Sequence, residues 1–200
     1  DAQQENDVQR QLEELHEYYA VLKPEEIRVI DPCMGSGHIL CVFFDSLISI
    51  YEDYGYTARE AVAMIVDKNI WGLDVDERAV QLAYFAVMMK ARQYDRRFFT
   101  RSLQPNVYAI HETNNLINDY KHAANDFSLS TEYKETLDYL INAFIDAKEY
   151  GSILLLEDRD YIGLKAAWET AVSQNENNAT LWSVSVAPEI PYLIELAIAL

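Results

Sequence analysis

Two aspartates and a glycine turn hold the residue types in this sequence that could do chemistry. Val29-Ile30-Asp31 is an apolar run closing on an acid, and Pro32-Cys33-Met34-Gly35-Ser36-Gly37 leads from it into an apolar helical run beginning at His38. Glycine enters left-handed backbone without a Cβ clash, so such a turn brings the main chain close to a ligand. The helix that follows offers N–H groups that no helical carbonyl pairs. Ile70-Trp71-Gly72-Leu73-Asp74 repeats the pattern, again apolar and again closing on an acid, before Val75-Asp76-Glu77-Arg78 enters another helix. A carboxylate at the end of the second strand of an α/β nucleotide fold accepts hydrogen bonds from both hydroxyls of a ribose.

What the turn lacks narrows the ligand. A dinucleotide site needs G-x-G-x-x-G and an acid roughly 20 residues further on. Gly35-Ser36-Gly37-His38-Ile39-Leu40 has no third glycine, and Asp74 lies further away than that spacing. The pattern suits a ligand with a ribose but no pyrophosphate, such as S-adenosylmethionine.

The elements that must position these residues follow from periodicity. Val8, Leu12, Leu15, Tyr19 and Leu22 recur at helical spacing and predict an amphipathic helix ended by Pro24. Ile27 to Ile30 reads as the first strand and His38 to Tyr54 as a helix. Thr57-Ala58-Arg59-Glu60 is a capping box, starting a helix that turns Ala61, Val62, Met64 and Ile65 inward. The second strand follows, then a helix from about Glu77 to Gln93 capped by Asp76. Pro105 breaks the chain, and Val107 to Ile110 is the third strand. Trp71, Tyr84 and Phe85 sit among apolar neighbours and are expected in the core. Past Asn114 the rhythm turns helical. Leu137, Leu140, Ile141, Phe144 and Ile145 mark a helix ending at Gly151, and Tyr161, Leu164, Trp168 and Val172 mark another. Ser173 to Thr180 reads as a loop and Ile190 to Leu200 as a last helix. The expected fold is α/β: a partial Rossmann-like core of parallel strands with flanking helices over residues 1–114, and a mainly helical extension of the same domain over residues 115–200.

Composition excludes several classes. Half of the 200 residues are hydrophobic, enough for a real core. No apolar run approaches the roughly 18 residues of a membrane span, and the polar, acidic start is no signal peptide. Cys33 and Cys41 are too few for a disulfide framework, which agrees with a cytoplasmic protein. A metal site at Cys33 and His38 would need further ligands, and none is expected. Sixteen basic residues against 33 acidic ones give a net charge of −17, which repels a phosphate backbone. Lys90, Arg92, Arg96, Arg97 and Arg101 cluster at a helix carboxyl end, where they complement its dipole.

Asp31-Pro32-Cys33-Met34-Gly35-Ser36-Gly37-His38-Ile39-Leu40 resembles the D-P-x-x-G-S-G form of motif I in bacterial N6-adenine DNA methyltransferases, and Gly72-Leu73-Asp74-Val75-Asp76 looks like their motif II. Gln81 to Arg92 and Tyr94 to Phe99 are similar, more narrowly, to the large methyltransferases of BREX phage-exclusion systems and their type IIG relatives. The resemblance covers about Arg28 to Asn106. It implies S-adenosyl-L-methionine as cofactor, with Asp31 holding the methionine end directly or through a water. Pro32, Cys33, Met34, Gly35, Ser36, Gly37 and His38 would line the loop, Asp74 would grip the ribose, Val75 would flank the adenine, and His111 or Glu112 would meet the adenine amino group. It implies methyl transfer to adenine N6 in DNA, and other defence-system subunits as possible partners. An RNA or protein methyltransferase, or a non-catalytic assembly module, are the alternatives.

One part of that family's machinery has no counterpart here. The flipped adenine is gripped by an Asn/Asp-Pro-Pro-Tyr/Phe loop, and none of the five prolines is followed by another. The chain is therefore expected to be a cofactor-binding piece with no catalytic residue of its own. It would be inactive alone, and DNA would be held by parts of a longer parent.

Overall fold

The computed structural model describes residues 2–114, 128–175 and 189–200. Three strands, β1 (Val29–Asp31), β2 (Ile70–Asp74) and β3 (Asn106–Ala109), form a parallel sheet in the order β1-β2-β3. The register sets Asp31 beside Gly72 and Asp74 beside Ala109, so the carboxyl ends of all three strands share one edge. Helices α1 (Ala2–Val21), α2 (His38–Asp53), α3 (Ala58–Met64) and α4 (Glu77–Tyr94) belong to the first half of the chain. The helices α5 (Thr131–Ala143), α6 (Ala147–Tyr150), α7 (Tyr161–Asn175) and α8 (Glu189–Ala199) follow. This is a partial Rossmann-like core of parallel strands carrying a helical extension.

Strand side chains alternate between two faces. Ile70 and Val107 turn to one face and join Leu40, Phe44 and Leu47 of α2, Ala61 and Val62 of α3, and Ala83, Val87 and Ala91 of α4. Leu73 and Ile110 turn to the other and join Leu137 and Leu140 of α5, Leu164 and Trp168 of α7, and Ile194 of α8. Both faces are covered, as a parallel sheet requires. Parallel pairing also explains why Ile70-Trp71-Gly72-Leu73 is continuously apolar instead of alternating.

Capping fixes the helix starts. The Thr57 hydroxyl accepts from the Glu60 N–H while the Glu60 carboxylate accepts from the Thr57 N–H, the expected capping box. Asp76 caps α4 by accepting from the Arg78 N–H at 2.9 Å. Between α3 and β2 the chain makes one turn of π-helix, Ile65–Asn69. The fully buried Asn69 closes it. Its amide donates to the carbonyls of Pro24 (2.8 Å) and Ile27 (2.7 Å), and its oxygen accepts from the Tyr51 hydroxyl (2.9 Å).

Four expectations change. The helix predicted to run to Gly151 is broken after Ala143, because Asp146 takes left-handed backbone (φ 54°) and α6 starts afresh behind it. Tyr84 and Phe85 are not core: they are 36% and 63% exposed, since α4 faces inward through the small residues Ala83, Val87 and Ala91. Trp71 is half buried, with the Arg28 guanidinium 5.8 Å from its ring centre. The helix α1 forms, but its stripe of Val8, Leu12, Leu15 and Tyr19 stays exposed. The chain over 173–175 belongs to α7, and the rest of the loop expected up to Thr180 lies outside the described residues. Lys90 and Arg101 of the basic cluster are held by Asp45 (2.6 Å) and Asp95 (2.8 Å), and Arg92 lies over Phe99. Among the described residues no helix is long and apolar enough to cross a membrane.

Candidate functional site

The glycine turn is pinned from below by β2. The Met34 N–H donates to the Leu73 carbonyl (3.0 Å), and the Gly35 N–H donates to Asp74 Oδ2 (2.8 Å). The Gly37 N–H then closes back on the Met34 carbonyl (2.8 Å). Both acids singled out in the sequence thus bond the main chain of one loop, Asp31 at Cys33 and Asp74 at Gly35. Gly35 and Gly37 both have positive φ, 52° and 76°, where a side chain is strained. Their second reasons differ. A Cβ on Gly37 would stand 3.0 Å from Ala83 of α4, so glycine lets α2 start against α4. A Cβ on Gly35 would meet nothing within 4 Å, so that backbone faces open space. Met34 is the anchor of the loop: it is 4% exposed and fills the space above Gly72, where an added Cβ would meet its sulfur. Pro32, Cys33, Ser36 and His38 are exposed on the loop's outer side.

The two carboxylates are differently satisfied. Asp74 is half buried, and each oxygen already accepts one N–H: Oδ2 from Gly35, Oδ1 from Asp76 (2.9 Å). Each retains a further lone pair. Asp31 is only 8% exposed; Oδ1 accepts from the Cys33 N–H at 3.2 Å, and Oδ2 has no protein partner. A buried carboxylate oxygen without a donor costs folding free energy and calls for an explanation outside the chain. No lysine or arginine among the described residues pairs with Asp31 or Asp74, so this end of the sheet presents uncompensated negative charge.

The other side of the edge joins the expected Val75, His111 and Glu112 to residues that the sequence did not announce: Thr113, Asn114, Asp146, Lys148 and Gly151. Val75, directly after Asp74, keeps 41% of its surface exposed. His111 packs against the Tyr192 ring (4.6 Å between centres), which leaves Glu112 as the exposed acid beyond β3. The Glu112 Oε1 accepts from the Lys148 N–H at 3.3 Å, and the Lys148 ammonium stands 3.6 Å from Glu77 at the start of α4. Buried Thr113 donates its hydroxyl hydrogen to the Ile141 carbonyl at 2.6 Å. Asn114 and Asp146 pair twice: the Asn114 amide donates to Asp146 Oδ1, and the Asp146 N–H donates to Asn114 Oδ1 (2.8 Å). A Cβ on Gly151 would lie 3.7 Å from Val75. The only local sequence sign of this arrangement is Gly151 itself, which the helical reading took for a simple stop.

Cys33 and Cys41 form no disulfide, and no cluster of histidine, cysteine and acid side chains suited to a metal occurs among the described residues. The surface cavities lined by Leu154–Ile162, by Lys23 with Tyr54 and Lys68, and by Asn106 with Lys165 and Glu195 do not include Asp31, Gly35 or Asp74.

The chain is 42% identical over 133 residues, 66% of its length, to the adenine-specific methyltransferase PglX of Lacticaseibacillus casei. It is 34% identical over 96% of its length to the adenine-specific methyltransferase BrxX of Escherichia coli O9:H4. This chain is a relative of the adenine-specific methyltransferases. A putative type II restriction enzyme and methyltransferase of Methanocaldococcus jannaschii aligns over 30% of the chain at 34% identity. No family model matches. The chain spans 11% of PglX and 17% of BrxX, so it corresponds to a small part of each of these methyltransferases.

Proposed function

We propose that this chain is the S-adenosylmethionine-binding part of an adenine-specific DNA methyltransferase acting at adenine N6, in a bacterial restriction–modification or phage-defence system. The observation that carries the reading is Asp31, 8% exposed, whose Oδ2 is buried with no donor from the protein, at the strand end that leads into a glycine turn stapled to a second acid. When bound, the cofactor supplies an electrophilic methyl group on a positively charged sulfur. Every other function here belongs to the chain's own residues. Asp31 accepts from the amino group of the methionine end, directly or through a water. The open main chain at Gly35, flanked by Pro32, Cys33, Ser36 and His38, lets that end lie close to the loop, with Met34 and Gly37 fixing the loop's shape. Asp74 holds the ribose hydroxyls on its remaining lone pairs, Val75 flanks the adenine, and Glu112 accepts from its amino group.

No residue of this chain is assigned to base capture. That task, together with the DNA grip, falls to other parts of a longer parent, as the charge of −17 and the missing Asn/Asp-Pro-Pro-Tyr/Phe loop argue. A DNA substrate places the parent in the cytoplasm, where other defence subunits could join it. In this reading the core over residues 1–114 and the extension over 115–200 are one domain. Calorimetric titration with S-adenosylhomocysteine tests the reading. Asp74→Ala should weaken binding by about 1.5–3 kcal/mol, the loss of a charge-assisted hydrogen bond, and NAD should not compete. Unchanged affinity in Asp74→Ala, or competition by NAD, would refute it.

A further inference from the structure

The helical extension does more than cover the back of the sheet. Between α5 and α7 it sends a short segment, Asp146–Gly151 with the single turn of α6, to the carboxyl edge, where three polar contacts and one close approach reach residues beside the cofactor strands. The turn's Asp146 is the one non-glycine among the described residues with positive φ, a conformation that aspartate enters more readily than most residues and that a partner can fix. Asn114 supplies it with two reciprocal hydrogen bonds. Two residues on, the Lys148 N–H holds one oxygen of Glu112 (3.3 Å), and its ammonium reaches Glu77 (3.6 Å). Three residues further, Gly151 lies beside Val75, close enough that an added Cβ would stand 3.7 Å from it, and Val75 still keeps an exposed face. The contacts run from the end of β3, across the end of β2, to the start of α4.

We propose that the turn Asp146–Gly151 is the third wall of the adenine subsite, and that Asp146 is a positioning residue which, through Asn114 and Lys148, sets the Glu112 carboxylate to read the adenine amino group. This rests on the cofactor reading above and deepens it. The logic is a lever. Glu112 is exposed and free to rotate unless one oxygen is held. The Lys148 N–H holds that oxygen, and Lys148 is placed by the kink at Asp146. The second oxygen of Glu112 is then presented in a fixed direction, as a lone-pair acceptor for an N–H of the base. A 6-oxo base has no amino N–H at position 6 and presents a carbonyl oxygen to the carboxylate there, its remaining donor on that edge being the ring N1–H, so selectivity for adenine over hypoxanthine reports how well Glu112 is set on the 6-position.

The test is calorimetric titration of the protein at its full natural length with S-adenosylhomocysteine and with S-inosylhomocysteine, its 6-oxo analogue. The ratio of the two affinities is the readout. The unsubstituted protein should favour the adenine ligand by about tenfold or more, the size of one charge-assisted hydrogen bond. Glu112→Ala should bring the ratio close to one. Asp146→Ala and Asn114→Ala should each lower it about three- to tenfold, whereas Asp146→Asn, which tolerates the left-handed turn, should keep most of it. In a Glu112→Ala background, Asp146→Ala should change the ratio no further. Asn114→Ala carries the test from the other end of the pair if Asp146→Ala does not fold. A ratio unchanged in Asn114→Ala and Asp146→Ala, with both ligands weakened alike, would make the turn a structural brace and overturn the proposal. So would a protein that does not discriminate at all. Failure of the cofactor reading itself looks different: Asp74→Ala would then leave the affinity for S-adenosylhomocysteine unchanged.

Discussion

The two faces of the sheet are covered by the same means and built from different distances. On one face, α2, α3 and α4 are the connections between the strands themselves, so each helix packs on strands that are its neighbours in sequence. On the other, α5, α7 and α8 come from beyond the last strand and reach Leu73 and Ile110 only by long-range contact. The first face holds the loop that carries Asp31 and Gly35. The second holds the turn that reaches Glu112 and Val75. A pocket formed between them has a sequence-local half and a half assembled at a distance.

The largest effect should come from the distant face. Trp168 is 1% exposed at the centre of that layer, and Trp168→Ala should destabilise the chain by about 3–5 kcal/mol through the cavity it leaves. Because Leu73 and Ile110 are shared with the sheet, urea unfolding followed by circular dichroism should remain a single transition. Two separated transitions would mean that the extension is an independent unit.

Next is the face built locally. Asn69→Ala should cost about 1–3 kcal/mol, since it strands the Tyr51 hydroxyl and two carbonyls. The same urea midpoints measure it, and an unchanged midpoint would show that solvent or relaxation satisfies those groups.

That contrast also explains what could be read in advance. The strand ends at Asp31 and Asp74, the glycine turn and the Asp76 cap were legible because strand–turn–helix signals are local; the bond from Gly35 to Asp74 that links them was not. The capping box at Thr57 was legible for the same reason. Tyr84 and Phe85 misled because apolar composition does not say which stripe of α4 is inward; the small residues Ala83, Val87 and Ala91 decide it by allowing close approach. The break at Asp146 was not legible. The run from Leu137 to Ile145 has unbroken helical period, and the residue that ends it is held by Asn114, 32 positions earlier. Nor does any local pattern say that Lys148 will reach Glu112.

Alkaline pH should touch both faces. Burial pushes Tyr51 and Tyr192 up to about 12, and the hydrogen bond to Asp45 does the same for Tyr94. A tyrosine whose folded pKa is raised favours the folded state less as pH climbs past its unfolded value. The stability these groups hold is intact below about pH 10 and is lost between there and about 12. Urea midpoints measured from pH 8 to 11 should fall only at the upper end, and Tyr192→Phe should flatten part of that fall. A midpoint independent of pH would contradict it.

The smallest effect concerns the seam between sheet and extension. The Tyr192 hydroxyl donates to the Ala109 carbonyl (2.9 Å) and accepts from its N–H (2.6 Å), closing the outer edge of β3. Tyr192→Phe at neutral pH should cost about 1 kcal/mol, together with faster hydrogen exchange at the Ala109 amide. Unchanged exchange would show that the edge is closed by something else.

The central claim is that a ribose-bearing cofactor lies along the carboxyl edge, between the glycine turn of one half and the Asp146–Gly151 turn of the other. Amide chemical-shift mapping with S-adenosylhomocysteine tests it most directly, because it detects even weak binding. The account predicts saturable shifts at Gly35, Ser36, Gly37, Val75, Glu112 and Gly151, reduced in Asp74→Ala and not produced by NAD. Saturable shifts confined to another surface, with Gly35 and Val75 unmoved, would contradict it.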